Sequence, residues 1–427
     1  MSENNALVIF GSTGDLTFQK LLPALARLNQ LSNHLIQKIF LIGRQGKTLT
    51  DYITYGIDHG LDAKVILPLM DKLHYVFMQA TEKDSYATLV PLLKPFSGRY
   101  IYLATPPSMF HFITASLSDL GLIEQGNPHH RCAYEKPFGE NGSAANVLND
   151  LLHEVIEEKQ LYRVDHYLAK PLIQQLIKIR MQWATVGMES FWQSPHIERI
   201  QLVAHETVSI LSRGKFYDAT GALKDMVQSH LLETLALVMM DIPKRIDDVA
   251  AIQTNKIAFL RSLKPRIDQV VVGQYVGYPQ ELHVNPSSIT ETYAYVPLTS
   301  NLIRWKDTMM TLETGKKLDE KRTSIDVYFR DGHRLQFQIA PSVKVILDQD
   351  WLASLPTNIA HHLTTLSHHP FATEDAYVTI FSDFFQGNQT LFPSSKEIEV
   401  TWALIDQIKQ KPLMPRRYQS LKDLTRK

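Results

Sequence analysis

Between residues 163 and 171 the chain reads RVDHYLAKP, an arginine, an aspartate, a histidine, a tyrosine and a lysine ahead of a proline. Such a peptide is either a polar loop or a device for holding an anion beside a carboxylate. Proline suits the first helical position, and the stretch it opens, PLIQQLIKIRM, has helical periodicity. Lys170 then stands just outside a helix. His166, Tyr167, Lys170 and the first helix N–H groups can converge on a phosphate, while Asp165 points elsewhere.

A second set lies in GALKDMVQSHLLETLALVMM, where Leu223, Val227, Leu231, Leu235 and Val238 share one helical face. His230 sits at the edge of that stripe. A histidine there reads either as a satisfied core residue or as a general base, and a base needs a carboxylate to orient it. Asp165 is the candidate. In EKPFG, Lys136 precedes Pro137 at the end of an apolar run, reading as a surface lysine or as a group at the ligand-binding edge of a sheet. Near the N-terminus, GSTGDL places Gly11 and Gly14 where a tight turn lets backbone approach a pyrophosphate. The next apolar run ends LIGRQGK with no acid at its tip. Arg44 and Lys47 there suit the 2′-phosphate of NADP, or form a solvated basic loop.

These residues need elements to hold them. ALVIF (6–10), the Gly-containing turn, the helical KLLPALARLNQL and the second run KIFLIG (38–43) open a parallel α/β sheet. RYIYLATPP (99–107) and RCAYEKPFG (131–139) read as further strands, and 143–160 as a helix capped by Ser143. Helices follow at 171–183 and 221–240 around an extended ERIQLVAHE. From about 268 the chain is strand-rich without intervening helices, which indicates an antiparallel sheet, and EIEVTWALIDQIKQ closes it as a helix. The expected division is a dinucleotide-binding domain over 1–170 and a larger α+β domain over 171–427.

Length and composition agree with a multidomain globular protein: 427 residues, 44% hydrophobic. Forty-four basic residues balance forty-four acidic ones, which argues against a nucleic-acid binder. A single cysteine, Cys132, excludes an intramolecular disulfide and weakens a cysteine-based metal site, so no metal is expected. MSENN lacks the charge of a signal peptide, and no apolar run is long enough to span a membrane; a cytoplasmic protein is the expectation.

Taken together the motifs resemble the glucose-6-phosphate dehydrogenase family nearly end to end. IFGSTGDL with KLLPAL, YLATPPS, EKPFG, YRVDHYLAK, FYDATGALKDMVQSHLLE, VVVGQYVGY, TETYAY, RW with TGKKL, and DAY with GNQTLFPSSKEIEVTWALID occur in the family's order. The resemblance implies a Rossmann-like parallel sheet followed by a domain with a mainly antiparallel sheet, assembled as a homodimer or homotetramer. It implies oxidation of glucose 6-phosphate at C1 with NADP (NAD possible) in the pentose phosphate pathway. Carried over residue by residue, it makes His230 the base and Asp165 its partner. It assigns His166, Tyr167 and Lys170 to the phosphate, and Lys136 to the space between nicotinamide and sugar. Glu206, Asp225, Lys316 and Lys321 go to the sugar pocket. The coenzyme falls to Gly11, Ser12, Gly14, Asp15, Leu16, Arg44 and Pro106, with Lys136 shared. The chain departs from the family's usual pattern at Ala169, Pro171 and Ser229 and in LSRGKFYD. Three alternatives stay open: a sugar oxidoreductase of the glucose–fructose oxidoreductase kind, a different sugar phosphate as substrate, and a non-catalytic relative serving as an assembly or regulatory partner.

Overall fold

The computed structural model describes residues 4–32, 35–46, 48–371 and 374–424. Six parallel strands form the first sheet: β1 (Asn5–Phe10), β2 (Lys38–Gly43), β3 (Leu73–Phe77), β4 (Gly98–Leu103), β5 (His130–Tyr134) and β6 (Leu161–Arg163). Their order is β3-β2-β1-β4-β5-β6. Every residue of β1 and β4 is buried, as strands covered on both faces require; that is why ALVIF reads as a continuous apolar run. The expectations contain no strand at 73–77. LHYVF is an edge strand with His74 and Phe77 open to solvent, so it lacks that run.

The stretch 143–160 is not one helix. The helix is Gly142–His153, with Ser143 inside its first turn rather than capping it, and a separate single turn covers Glu158–Gln160. The break follows from Gln160, whose side-chain amide donates to the carbonyls of Glu124, Asn127 and His130 and draws the chain out toward β6.

The second sheet uses β7 (Ile197–His205), β8 (Leu263–Pro265), β9 (Val271–Tyr275), β10 (Tyr293–Ser300), β11 (Met309–Gly315), β12 (Arg322–Phe329), β13 (Arg334–Ala340), β14 (Lys344–Leu347) and β15 (Arg416–Tyr418). Its order is β14-β13-β12-β7-β11-β10-β9-β15, with β8 beside β10. Most neighbours are antiparallel; β7 with β11 and β9 with β15 are parallel.

The chain divides into two compact units. The first comprises Met1–Gly139, Ser143–Ala169 and Glu374–Ser395; the second holds Glu140–Gly142, Lys170–Thr373 and Lys396–Lys427. The first unit therefore takes in a late segment that a division at residue 170 assigns elsewhere. The helix Ala376–Gln386 packs its phenylalanines on the parallel sheet, Phe381 against Tyr102 and Phe384 against Tyr100 and Tyr162. Arg131 donates to the carbonyls of Phe384 and Phe385, and Gln389 to that of Leu161. No helix among the described residues is long and apolar enough to cross a membrane.

Candidate active site

In the first unit β1 ends at Phe10 and Gly11 turns the chain with φ of +79°; a Cβ on Gly11 would lie 2.3 Å from the Ala104 carbonyl oxygen. Only glycine fits. Gly14 donates to the Gly11 carbonyl, and the helical turns from Thr17 start directly behind it. A cleft of about 380 Å³ opens there, at the carboxyl ends of β1, β2 and β4, lined by Gly11, Gly14, Arg44 and Pro106. Four of the anticipated coenzyme residues thus converge. Ser12 is buried and spends its hydroxyl on the Ile42 carbonyl (2.8 Å), so it shapes the turn. Asp15 is exposed and Leu16 half-buried, both leading into the helix outside the cleft lining. Lys47 lies outside the described residues. Thr13, Met78, Ala80 and Thr105 also line the cleft and went unnoticed in the sequence. Thr105 follows β4 and Met78 and Ala80 follow β3, so recognising that edge strand would have pointed to the latter pair.

The EKP turn and the opening peptide share a second cluster of this unit. Glu135 accepts hydrogen bonds from the hydroxyls of Tyr102 (2.5 Å) and Tyr377 (3.1 Å). Burial raises the Glu135 carboxyl above its ordinary value, and the Asp165 charge adds to that. The two phenols and Lys136 only partly offset it. The Lys136–Pro137 peptide is cis. Asp165 is buried, at 3% exposure, and accepts from the Tyr167 N–H at 2.9 Å, which folds the peptide into an Asx turn. The His166 ring lies parallel to Tyr377 with centroids 6.4 Å apart. Arg163 is fixed below the turn by Glu158 (2.8 Å) and Asn149 (2.8 Å). Glu135 and Tyr377 each stand in a quoted motif, EKPFG and DAY, but nothing in the sequence says that they meet, because the contact joins positions far apart in the chain.

In the second unit Lys170 occupies the N-cap position and Pro171 the first turn of the helix Pro171–Thr185. The parallel register of β7 and β11 puts Glu206 and Lys316 side by side, each directly after its strand. Their side chains form an ion pair at 2.6 Å. An antiparallel pairing would have sent them to opposite ends of the sheet. Lys316 is buried and its ammonium lies over the Tyr217 ring at 5.8 Å. Lys321 is exposed in the loop before β12.

His230 and Asp225 lie on Leu223–Leu231, nine residues wound with i→i+5 hydrogen bonds. In an α-helix residues five apart diverge by roughly 140°. The wider turn brings the two closer to one side, and both are buried, at 1% and 4% exposure. Arg213 approaches Asp225 at 3.7 Å. The next helix, Leu232–Met239, has its last carbonyls and that of Met240 occupied by Trp192, Trp305 and Arg180, which anchors the rod that carries His230.

Residues 8–175 match the NAD-binding domain of glucose-6-phosphate dehydrogenase, and residues 179–423 match its C-terminal domain. A glucose-6-phosphate 1-dehydrogenase of Chlamydia muridarum is 30% identical, covering 96% of this chain and 91% of the relative. One from Aggregatibacter actinomycetemcomitans is 32% identical over 81% of this chain and 75% of its own. The crystal structure of glucose-6-phosphate 1-dehydrogenase from Mycobacterium avium superposes with a TM-score of 0.84 at 27% identity, covering 98% of this chain and 94% of that one. The chain belongs to the glucose-6-phosphate dehydrogenase family. Its departures from the usual pattern of glucose-6-phosphate dehydrogenases are absorbed locally. Ala169 is buried, Pro171 supplies a preset first helical turn, and the Ser229 hydroxyl donates to the Asp225 carbonyl (3.2 Å).

Proposed function

We propose that this chain oxidises glucose 6-phosphate at C1 to the 6-phosphogluconolactone and passes the hydride to NADP, with NAD as a weaker substitute. The end-to-end family match carries this reading. In it His230 takes the proton of the C1 hydroxyl, and Asp165 offsets the charge that appears on the imidazole. His166, Tyr167 and Lys170 hold the phosphate through charge-assisted hydrogen bonds. Lys136 lies between nicotinamide and sugar. Glu206, paired with Lys316, accepts from sugar hydroxyls, with Asp225 and Lys321 completing the pocket. The nicotinamide coenzyme supplies the hydride acceptor. Gly14 suits its pyrophosphate, since a Cβ there would find only the Gly11 carbonyl, at 3.4 Å, and the backbone stays open to a ligand. Arg44 at the cleft wall suits a 2′-phosphate. The same reading makes the protein a cytoplasmic homodimer or homotetramer of the oxidative pentose phosphate pathway.

The test is a rate matrix of several hexose phosphates and free glucose against both coenzymes. Glucose 6-phosphate with NADP should give the highest kcat/KM, and His230→Ala should lower kcat by about 10²- to 10⁴-fold while sugar-phosphate binding persists. Binding of the sugar phosphate without reduction of either coenzyme would overturn the reading. A higher kcat/KM with another sugar phosphate would reassign the substrate.

A further inference from the structure

Two buried tyrosines stand behind the wall of the coenzyme cleft. The rings of Tyr52 and Tyr75 stack with centroids 4.9 Å apart and planes 27° apart. Their hydroxyls reach different loops. Tyr52 donates to the Ser12 carbonyl at 2.8 Å, in the turn after β1. Tyr75, on β3, donates to the Gln45 carbonyl at 2.9 Å and accepts the Gln45 N–H at 3.1 Å, so both main-chain groups of one residue are held by one phenol. Gln45 is itself exposed and directly follows Arg44. Gly43 completes the fit: a Cβ there would lie 2.8 Å from the Thr13 side chain and 2.9 Å from the Tyr75 hydroxyl, so the chain just before Arg44 passes Tyr75 with no room for a side chain. Burial raises the pKa of both phenols, which keeps them protonated donors.

We propose that Tyr75 is a positioning residue for coenzyme choice: by fastening the Gln45 main chain it sets the Arg44 guanidinium for the 2′-phosphate, while Tyr52 fastens the turn that serves any dinucleotide. The inference rests on the assignment of Arg44 to that phosphate. An arginine meets a phosphate through directional, often bidentate hydrogen bonds, so its loop must be ordered before binding or lose affinity in being ordered. The two tyrosines belong to one packed pair, yet they predict different phenotypes.

The experiment measures KM and kcat of the full chain for NADP and NAD with saturating glucose 6-phosphate, and calorimetric binding of 2′,5′-ADP against 5′-AMP. The variants are Arg44→Ala, Tyr75→Phe and Tyr52→Phe. Tyr75→Phe should raise KM for NADP about five- to tenfold, the scale of one to two hydrogen bonds, and weaken 2′,5′-ADP alike. Its kcat, its KM for NAD and its 5′-AMP binding should stay within about twofold. Tyr52→Phe, which removes a hydroxyl from the same stack, should raise KM for both coenzymes by one common factor. If Arg44→Ala abolishes the preference for NADP and Tyr75→Phe leaves it intact, the role of Tyr75 is refuted and that of Arg44 stands. A Tyr75→Phe enzyme that weakens both coenzymes equally also refutes it, since that is the signature of general loosening. If Arg44→Ala leaves the preference unchanged, the assignment of Arg44 falls and this inference with it.

Discussion

Glu135 is a carboxyl group that folding makes harder to ionise. Its raised value means that the folded chain binds the proton more tightly than the unfolded chain does. The corresponding stabilisation is complete below the ordinary value of 4.5 and is lost as pH rises through the raised one. Glu135→Gln keeps an acceptor for Tyr102 and Tyr377 without the charge. The variant should melt at a higher temperature than the parent near pH 7, and the gap should close as pH falls to about 4.5. A variant less stable at neutral pH would show that Lys136 and the phenols outweigh burial. At this scale the sequence was legible where a residue sits in a dense local motif: GSTGDL named Gly11 and Gly14, which line the cleft, and RVDHYLAKP named the Asp165 that closes its own turn on Tyr167. It was silent where a partner arrives from far along the chain, as Tyr377 does at Glu135.

Elements, rather than single residues, explain the buried ion cluster of the second unit. Lys256, on the helix Val249–Ser262, meets Glu233 (2.6 Å) from the helix Leu232–Met239 and Glu397 (2.5 Å) from the helix Ser395–Lys409. All three side chains are at most 1% exposed. Burial alone would drive the proton off Lys256, but the two carboxylates more than reverse this and hold its value above 10.5. Lys256→Ala removes the ammonium that two buried acids share, a loss of about 3–5 kcal/mol. Two buried carboxylates that have lost a shared ammonium bind protons more readily, so the deficit in urea midpoint should be large near pH 7.5 and shrink toward pH 5.5; a deficit independent of pH would count against the cluster as its cause. Periodicity revealed two of the three helices that meet here, the one that follows His230 and the closing one, and missed Val249–Ser262; it also located the apolar stripe beside His230. Periodicity did not reveal that Leu223–Leu231 winds more widely than an α-helix, because a single widened segment alters no repeat long enough to count.

On the scale of the whole molecule, the chain leaves the first unit after Ala169 and comes back to it at Glu374. The returning segment is tied by Arg27–Glu374 (2.6 Å), Lys20–Asp375 (2.8 Å) and the phenylalanines seated on Tyr100, Tyr102 and Tyr162. A fragment ending at residue 170 should therefore expose an aromatic face. It should bind a hydrophobic dye and melt well below the same fragment supplemented with a peptide of residues 374–395. Equal melting of the two would show that the segment only decorates the sheet. The sequence pattern divided the chain once, at residue 170, and nothing in DAYVTIFSDFF itself says which sheet it covers. The return also sets an order of events during synthesis. The ribosome finishes β6 roughly 200 residues before it delivers the helix that closes the sheet, an interval on the order of 10 to 40 s. For that time Tyr100, Tyr102 and Tyr162 lack the phenylalanines that cover them in the finished fold, the kind of transient apolar exposure that favours aggregation or chaperone capture until the late helix arrives.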